Sequence, residues 1–305
     1  MSIFTGQSTG STAVDLSKLP FPAVIEILSF ETIVAAAKAR LVELMPALEP
    51  TLNIPSEPLV LVIEIFAYRE TILRQRVNDA ARAVTLAYAS GSTLDHLVAL
   101  LGVTRIELEP ARPETNTPAV MESDESLRRR ALLAPEAYSV AGPAGAYVSH
   151  ALGASGDVLD ASATTPSPGV VLITILARDG DGVPSAELLA DVLAIVAADH
   201  IRPMTDDVRV QAAEILTFAI DAAITTYAGP DSAVVLAEAH RRLDVYLTTS
   251  FRLGRDVTRS GIIAALHTDG VQNVVLASPA ADVVVTAAQA ARCTAINVTH
   301  AGLDE

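Results

Sequence analysis

From Leu59 to Val84, the apolar residues Leu59, Ile63, Phe66, Leu73, Val77, Ala80 and Val84 return three, four or seven positions apart, the spacing of a stripe along a helix. Ser56 is a good N-cap and Pro58 suits the opening turn. The other face carries Arg69, Glu70, Arg74, Arg76, Asp79 and Arg82, with Glu70 and Arg74 at i,i+4, a spacing worth about 0.3–0.5 kcal/mol when exposed. Read as far as Tyr88, this helix runs about 30 residues, roughly 45 Å. Such a helix has more apolar edge than a small domain can cover, so it suits one member of an intermolecular bundle.

Around it the chain divides by composition and period. Residues 1–18, rich in Ser, Thr and Gly, read as a flexible N-terminal arm. Residues 19–108 read as a helical bundle-forming domain, with a further helix over Phe30 to Leu44 ahead of Pro46. Gly91 is expected to end the long helix, and Ser92-Thr93-Leu94-Asp95 to open a short one closing near Gly102. A Pro-rich, polar stretch from Glu107 to Thr117 marks a boundary, after which Glu122-Ser123-Asp124-Glu125 caps a helix bearing Arg128, Arg129 and Arg130. Another helix is expected over Pro143 to Ala154.

Past residue 156 the period falls from 3.6 to 2. Strands are predicted over Val158–Thr164 and Val170–Ala177, either side of the turn Pro166-Ser167-Pro168-Gly169, then near Val208–Ala212 and over Ile215–Tyr227 and Val271–Leu276. Helices fall between them over Ser185–Asp199, Ser232–Leu247 and Thr258–His267, and weaker strands at Val283–Val285 and Thr294–Val298. The fold class is therefore α+β: a helical N-terminal domain with a long amphipathic helix, then two small mixed α/β domains, 109–212 and 213–305. The halves resemble a structural repeat in element order, and Glu109–Pro118 and Thr226–Asp231 are the hinge candidates.

A search for chemistry comes back empty. Asp179-Gly180-Asp181-Gly182 suggests a calcium loop, but an EF-hand aligned on Gly182 needs an oxygen ligand at 177 and a glutamate at 188, where Ala177 and Leu188 stand. A turn ahead of the Ser185 cap is the better reading, and a metal-dependent hydrolase using Asp179 and Asp181 is the least implausible enzyme. No two of the six histidines stand at i,i+4, there is no G-x-S-x-G elbow, P-loop or strand-borne G-x-G-x-x-G, and Cys293 is the single cysteine. No catalytic residue, cofactor or metal ligand is expected. One cysteine fits a reducing compartment. A formal charge of −15, spread along the chain, opposes binding to nucleic acid. The N-terminus lacks the basic and apolar regions of a signal peptide, and the best apolar run, Leu59 to Ala67, is far short of the about 20 residues of a membrane span. Nineteen of the 21 basic residues are Arg, a choice suited to interfaces. Aromatics at 4% without tryptophan argue against a receptor-binding tip.

The ordered motifs resemble the baseplate assembly protein J family, the baseplate J-like wedge proteins of contractile-tailed phages and tailocins. The match runs through Glu57-Pro58, then Glu64-x-x-Ala67-Tyr68-Arg69-Glu70-x-x-Leu73-Arg74-Gln75-Arg76-Val77-Asn78-Asp79-Ala80, and then Leu94-Asp95-His96-Leu97 and Gly102-Val103-Thr104-Arg105. It continues through Ala141-Gly142-Pro143, Arg202-Pro203-Met204-Thr205-Asp206 and Leu253-Gly254-Arg255-Asp256-Val257-Thr258, and covers roughly residues 15 to 295. The resemblance implies a structural role without enzymatic activity, in the virion tail baseplate assembled in the host cytoplasm. It implies a ring of copies around the central hub and spike, each wedge pairing two copies with a second, smaller wedge protein, and contact with hub, spike and sheath-initiating proteins. The interface candidates it suggests are Glu64, Tyr68, Arg69, Glu70, Leu73, Arg74, Arg76, Asp79, Arg255 and Asp256.

Overall fold

A computed structural model describes residues 16, 19–20, 24, 26–229 and 231–304. The expected arm, residues 1–18, lies outside the described residues apart from Leu16. The chain forms two compact units, one ending at Leu100 and one running from Leu101.

The first unit is helical. Helix α1, Phe30–Leu44, is capped by the Ser29 hydroxyl, which accepts from the Thr32 N–H. A short α2, Glu49–Leu52, precedes α3, Pro58–Ala83, and α4, Gly91–Ala99. One side of α3 packs on α1: Val60, Ile63 and Ala67 are buried with Val34 and Leu52, under Phe30, Ile33, Leu41 and Leu59. Ala67 leaves room for the neighbouring helix. Farther along the same side, the buried Asn78 grips the chain at residue 26: its Oδ1 accepts from the Glu26 N–H at 3.0 Å and its amide donates to the Glu26 carbonyl at 2.9 Å. Helix α3 stops earlier than the apolar spacing suggests, because the Thr85 hydroxyl donates to the Arg82 carbonyl at 2.7 Å and so competes for the helix's last acceptors. Gly91 opens α4 with a left-handed φ of 54° instead of closing the long helix.

The second unit contains two three-stranded sheets. Strands β1, Glu107–Glu109, and β2, Val120–Met121, close the Pro-rich stretch into a small antiparallel pair, leading to α5, Asp124–Leu133, and α6, Ala144–Ala154. Then come β3, Val158–Ser167, β4, Val170–Ala177, α7, Ala186–Val196, and β5, Asp207–Ala212, giving sheet order β3-β4-β5. Strand β4 is antiparallel to β3 and parallel to β5, and the sheet's inner face, Ala161, Ile173 and Ile175, buries Tyr147, Ala151 and Leu152 of α6 and Leu188, Val192 and Val196 of α7. The second sheet follows with β6, Glu214–Tyr227, α8, Ser232–Ser250, α9, Arg259–Leu266, β7, Val271–Ser278, and β8, Gln289–Asp304, ordered β7-β6-β8. Its core packs Ile220, Ala222 and Ile224 against Val235, Ala239 and Leu243 of α8 and Ile262 and Leu266 of α9.

Each central strand has one antiparallel and one parallel neighbour, but the connections differ: a hairpin joins β3 to β4, whereas two helices separate β6 from its antiparallel neighbour β7. The similarity of the halves therefore stops at strand pairing. Val283–Val285 is not a strand; Val283 makes an isolated bridge to Val257, and the Val285 N–H donates to Asp256 at 2.8 Å. The tail, in contrast, forms a full 16-residue strand paired in parallel with β6. The Thr226–Asp231 turn joins β6 to α8, two elements of one core, so it does not link domains.

Candidate protein interface

Helix α3 is apolar on more sides than α1 can cover. At 100° per residue, its buried line is Val60, Ile63, Ala67 and Asn78. To one side, Leu61, Ile65, Tyr68 and Ile72 form an exposed apolar row spaced four, three and four. To the other, Val62, Phe66, Leu73 and Val77 form a second row, and Val84 continues it past the helix end. Ile65 is 60% exposed, Phe66 67% and Leu73 63%. Between the rows, on the line pointing farthest from α1, stand Arg69 and Arg76. A helix with exposed apolar rows beside its buried line suits the inside of a bundle, and burying one such side chain contributes about 1.5–3 kcal/mol. The first row opens beside α1 into a groove of about 490 Å³ walled by Phe30, Leu61, Glu64, Ile65 and Tyr68.

The charged candidates sit on the same helix. Arg74 pairs with Glu70 at 2.8 Å and reaches Glu26 at 3.2 Å, while Asp79 accepts from Gln75 at 2.7 Å and from Arg82 at 3.4 Å. Arg69 and Arg76 are exposed, and Glu64 is half-buried in the groove wall. These eight candidates share α3. Arg255 and Asp256 belong to the other unit: Asp256 spends a carboxylate oxygen on the Val285 N–H, and burial lowers the pKa of the half-buried Arg255. Asp256 is therefore an anchor of its own loop.

The Asp179–Gly182 segment is a turn. The Gly182 N–H donates to the Asp179 carbonyl and the Asp181 carboxylate accepts from the Val183 N–H at 3.0 Å, while Gly182 holds a φ of 94° under Phe251. Among the described residues, no three His, Cys, Asp or Glu side chains gather where they would hold a metal ion. No described helix is long and apolar enough to cross a membrane.

Sequence reasoning missed the buried ionic cluster between the two sheets. Asp160, on β3 with its side chain 3% exposed, accepts from Arg129 of α5, from the Ala161 N–H at 2.8 Å and from the Leu253 N–H at 3.0 Å. Arg252 donates to the Leu159 carbonyl at 3.2 Å. Burial pulls this guanidinium down to about 10, and Arg129 adds like-charge repulsion. Beneath, Leu176, Ala213, Leu253 and Ala290 form an apolar plug shared by the two sheets. A second carboxylate, Glu122, is buried with Arg130, the Ile106 N–H and the Ser126 hydroxyl. The run Arg128–Arg130 was visible as a helix face; its partners lie up to 31 residues away and leave no local signal.

Comparison with known proteins gives three consecutive family matches: the Baseplate J-like N-terminal domain over residues 55–112, the Baseplate J-like central domain over 139–212, and the Baseplate J-like protein C-terminal domain over 218–299. Baseplate protein J of Escherichia phage P2 is 47% identical over 299 residues, covering 96% of this chain and 99% of that protein. Among solved structures, a chain in the cryo-EM structure of the anti-feeding prophage baseplate, 6-fold symmetrised, gives a TM-score of 0.38 at 14% identity, over 58% of this chain and 44% of that one.

Proposed function

Because the chain belongs to the Baseplate J-like family, and is thereby a structural protein of a phage tail baseplate, we propose that it is a wedge subunit of a contractile tail or tailocin, ringed around the central hub and spike and linking one wedge to the next. Its role is to be packed against other polypeptides, without turnover of a small molecule. Its partners are other copies of itself, a second, smaller wedge protein, and hub, spike and sheath-initiating proteins.

The observation that carries this reading is the pair of exposed apolar rows on α3. Two rows on opposite flanks of α1 provide for two further helices, so α3 serves as the central member of a bundle completed by other chains. Arg69 and Arg76 between the rows, with Glu70 and Arg74 at one border, set register and partner choice as charges flanking an apolar seam do.

The test replaces Arg69, Arg74 and Arg76 together by Glu. The expected result is a subunit with native circular dichroism that fails to assemble into baseplates; infectious, contractile particles built from this variant would overturn the assignment.

A further inference from the structure

Three arginines from separate elements converge on the stretch Gly156–Asp160, where the chain enters β3. Arg178, just past β4, donates through Nε to the Gly156 carbonyl at 2.8 Å and through Nη2 to the Val158 carbonyl at 3.5 Å. Arg252, just past α8, donates to the Leu159 carbonyl at 3.2 Å. Arg129 of α5 pairs with the Asp160 carboxylate. All three side chains are half-buried.

The charges in this cluster do not balance. Asp160 is already occupied: Oδ1 serves Arg129 and the Ala161 N–H, and Oδ2 serves the Leu253 N–H. The carboxylates of Glu125 and Asp157 are exposed, and among the described residues neither forms an ion pair with any of the three arginines. Arg178 and Arg252 thus hold two half-buried positive charges that meet only carbonyl dipoles. Of the five N–H donors a guanidinium carries, Arg252 commits one. A neutral donor would satisfy the same carbonyls at a lower desolvation cost, so a cationic cluster gains most when an anion joins it. This positive excess stands in a chain of formal charge −15, which elsewhere repels anions.

The setting also selects the anion. Guanidinium groups bind planar carboxylates through paired N–H donors, and clusters of them recognise acidic peptide motifs. The Gly156, Val158 and Leu159 carbonyl oxygens beside the guanidiniums oppose a dianion such as phosphate more than a singly charged carboxylate. We propose that Arg129, Arg178 and Arg252 form a receptor for the carboxylates of an acidic segment of another baseplate polypeptide, docked at the entry to β3. The inference rests on the reading of the chain as a subunit packed against other polypeptides, and it names one such contact.

Fluorescence anisotropy of labelled hexaglutamate, titrated with the full-length chain at low salt, tests it. Arg252→Gln and Arg178→Gln, each with native circular dichroism, should weaken binding about tenfold or more. Arg252→Lys keeps the charge without the planar fork and should fall between. Arg241→Gln, on the exposed face of α8, should change nothing. Because Arg178 and Arg252 sit on different elements, either folded variant alone decides. No binding, binding that these variants leave intact, or displacement of the peptide by equimolar inorganic phosphate overturns the proposal, the last marking an adventitious ion only. Self-association of the chain that Arg252→Gln abolishes would put a second copy at the site and overturn it as well. The folded Arg252→Gln chain should also fail to enter tail baseplates normally; normal particles built from it would refute the docking role. A chain that binds the peptide through these arginines yet never enters baseplates sinks the wedge reading and leaves the site standing.

Discussion

Asp160→Asn should be among the most damaging isosteric changes in the second unit. The carboxylate, 3% exposed, takes Arg129 and the Ala161 N–H on Oδ1 and the Leu253 N–H on Oδ2, so it ties α5, β3 and the segment after α8 together. Asparagine keeps the shape but removes the charge and turns one acceptor into a donor facing another donor. Arg129 and Arg252 then stay beside one another without the anion that offsets them. Breaking a buried pair from one side costs about 3–5 kcal/mol. For a unit of this size each kcal/mol moves the melting midpoint by about 2–4 °C, so a fall of about 6–20 °C is expected. Urea and thermal unfolding followed by circular dichroism measure it, with Arg241→Ala as control, since the Arg241–Glu238 pair is exposed to solvent and contributes little to stability. If Asp160→Asn melts within about 1 kcal/mol of the parent, the cluster does not hold the two sheets together and the reasoning fails.

Gly142→Ala should destabilise by about 1–3 kcal/mol, because Gly142 holds a φ of 76° and a Cβ there would meet Pro203 Cγ at 2.8 Å and Asp206 Oδ2 at 2.9 Å; denaturant melts read the change. His150 is held below its ordinary 6.5 by burial, with the nearby His200 acting in the same direction against a hydrogen bond to Ala137. The folded state therefore resists protonation at His150, its contribution is complete above about 6.5, and it is lost as the pH falls. His150→Gln should flatten the fall in unfolding free energy between neutral and acid pH; an unchanged slope would refute this assignment.

The local structure was largely legible in the sequence. Helix α1 and strand β4 fall on their expected residues because Ser29 and Met45 bound the one and the Gly169 turn and Asp179 the other. Only five residues of strand β8, Thr294–Val298, stand out in the sequence, because Ala, Thr and Asn alternate too weakly to mark a face and two bulges interrupt the period of two. The end of α3 was hidden because Thr85 acts through a hydrogen bond and not through hydropathy. For the interface, the sequence shows that α3 carries surplus apolar residues, but which row turns toward α1 depends on Ala67 and Asn78, whose partners are distant in the chain. The Asp160 cluster was unreadable for a similar reason: Leu253 lies 93 positions away.

Hydroxyl-radical footprinting of α3, in the purified chain and in intact tail particles, reaches the central claim most directly. Phe66, Tyr68 and Leu73, exposed in the isolated subunit, should be strongly labelled there and protected in particles. Equal labelling in both would mean that no other polypeptide covers this helix in the assembled baseplate.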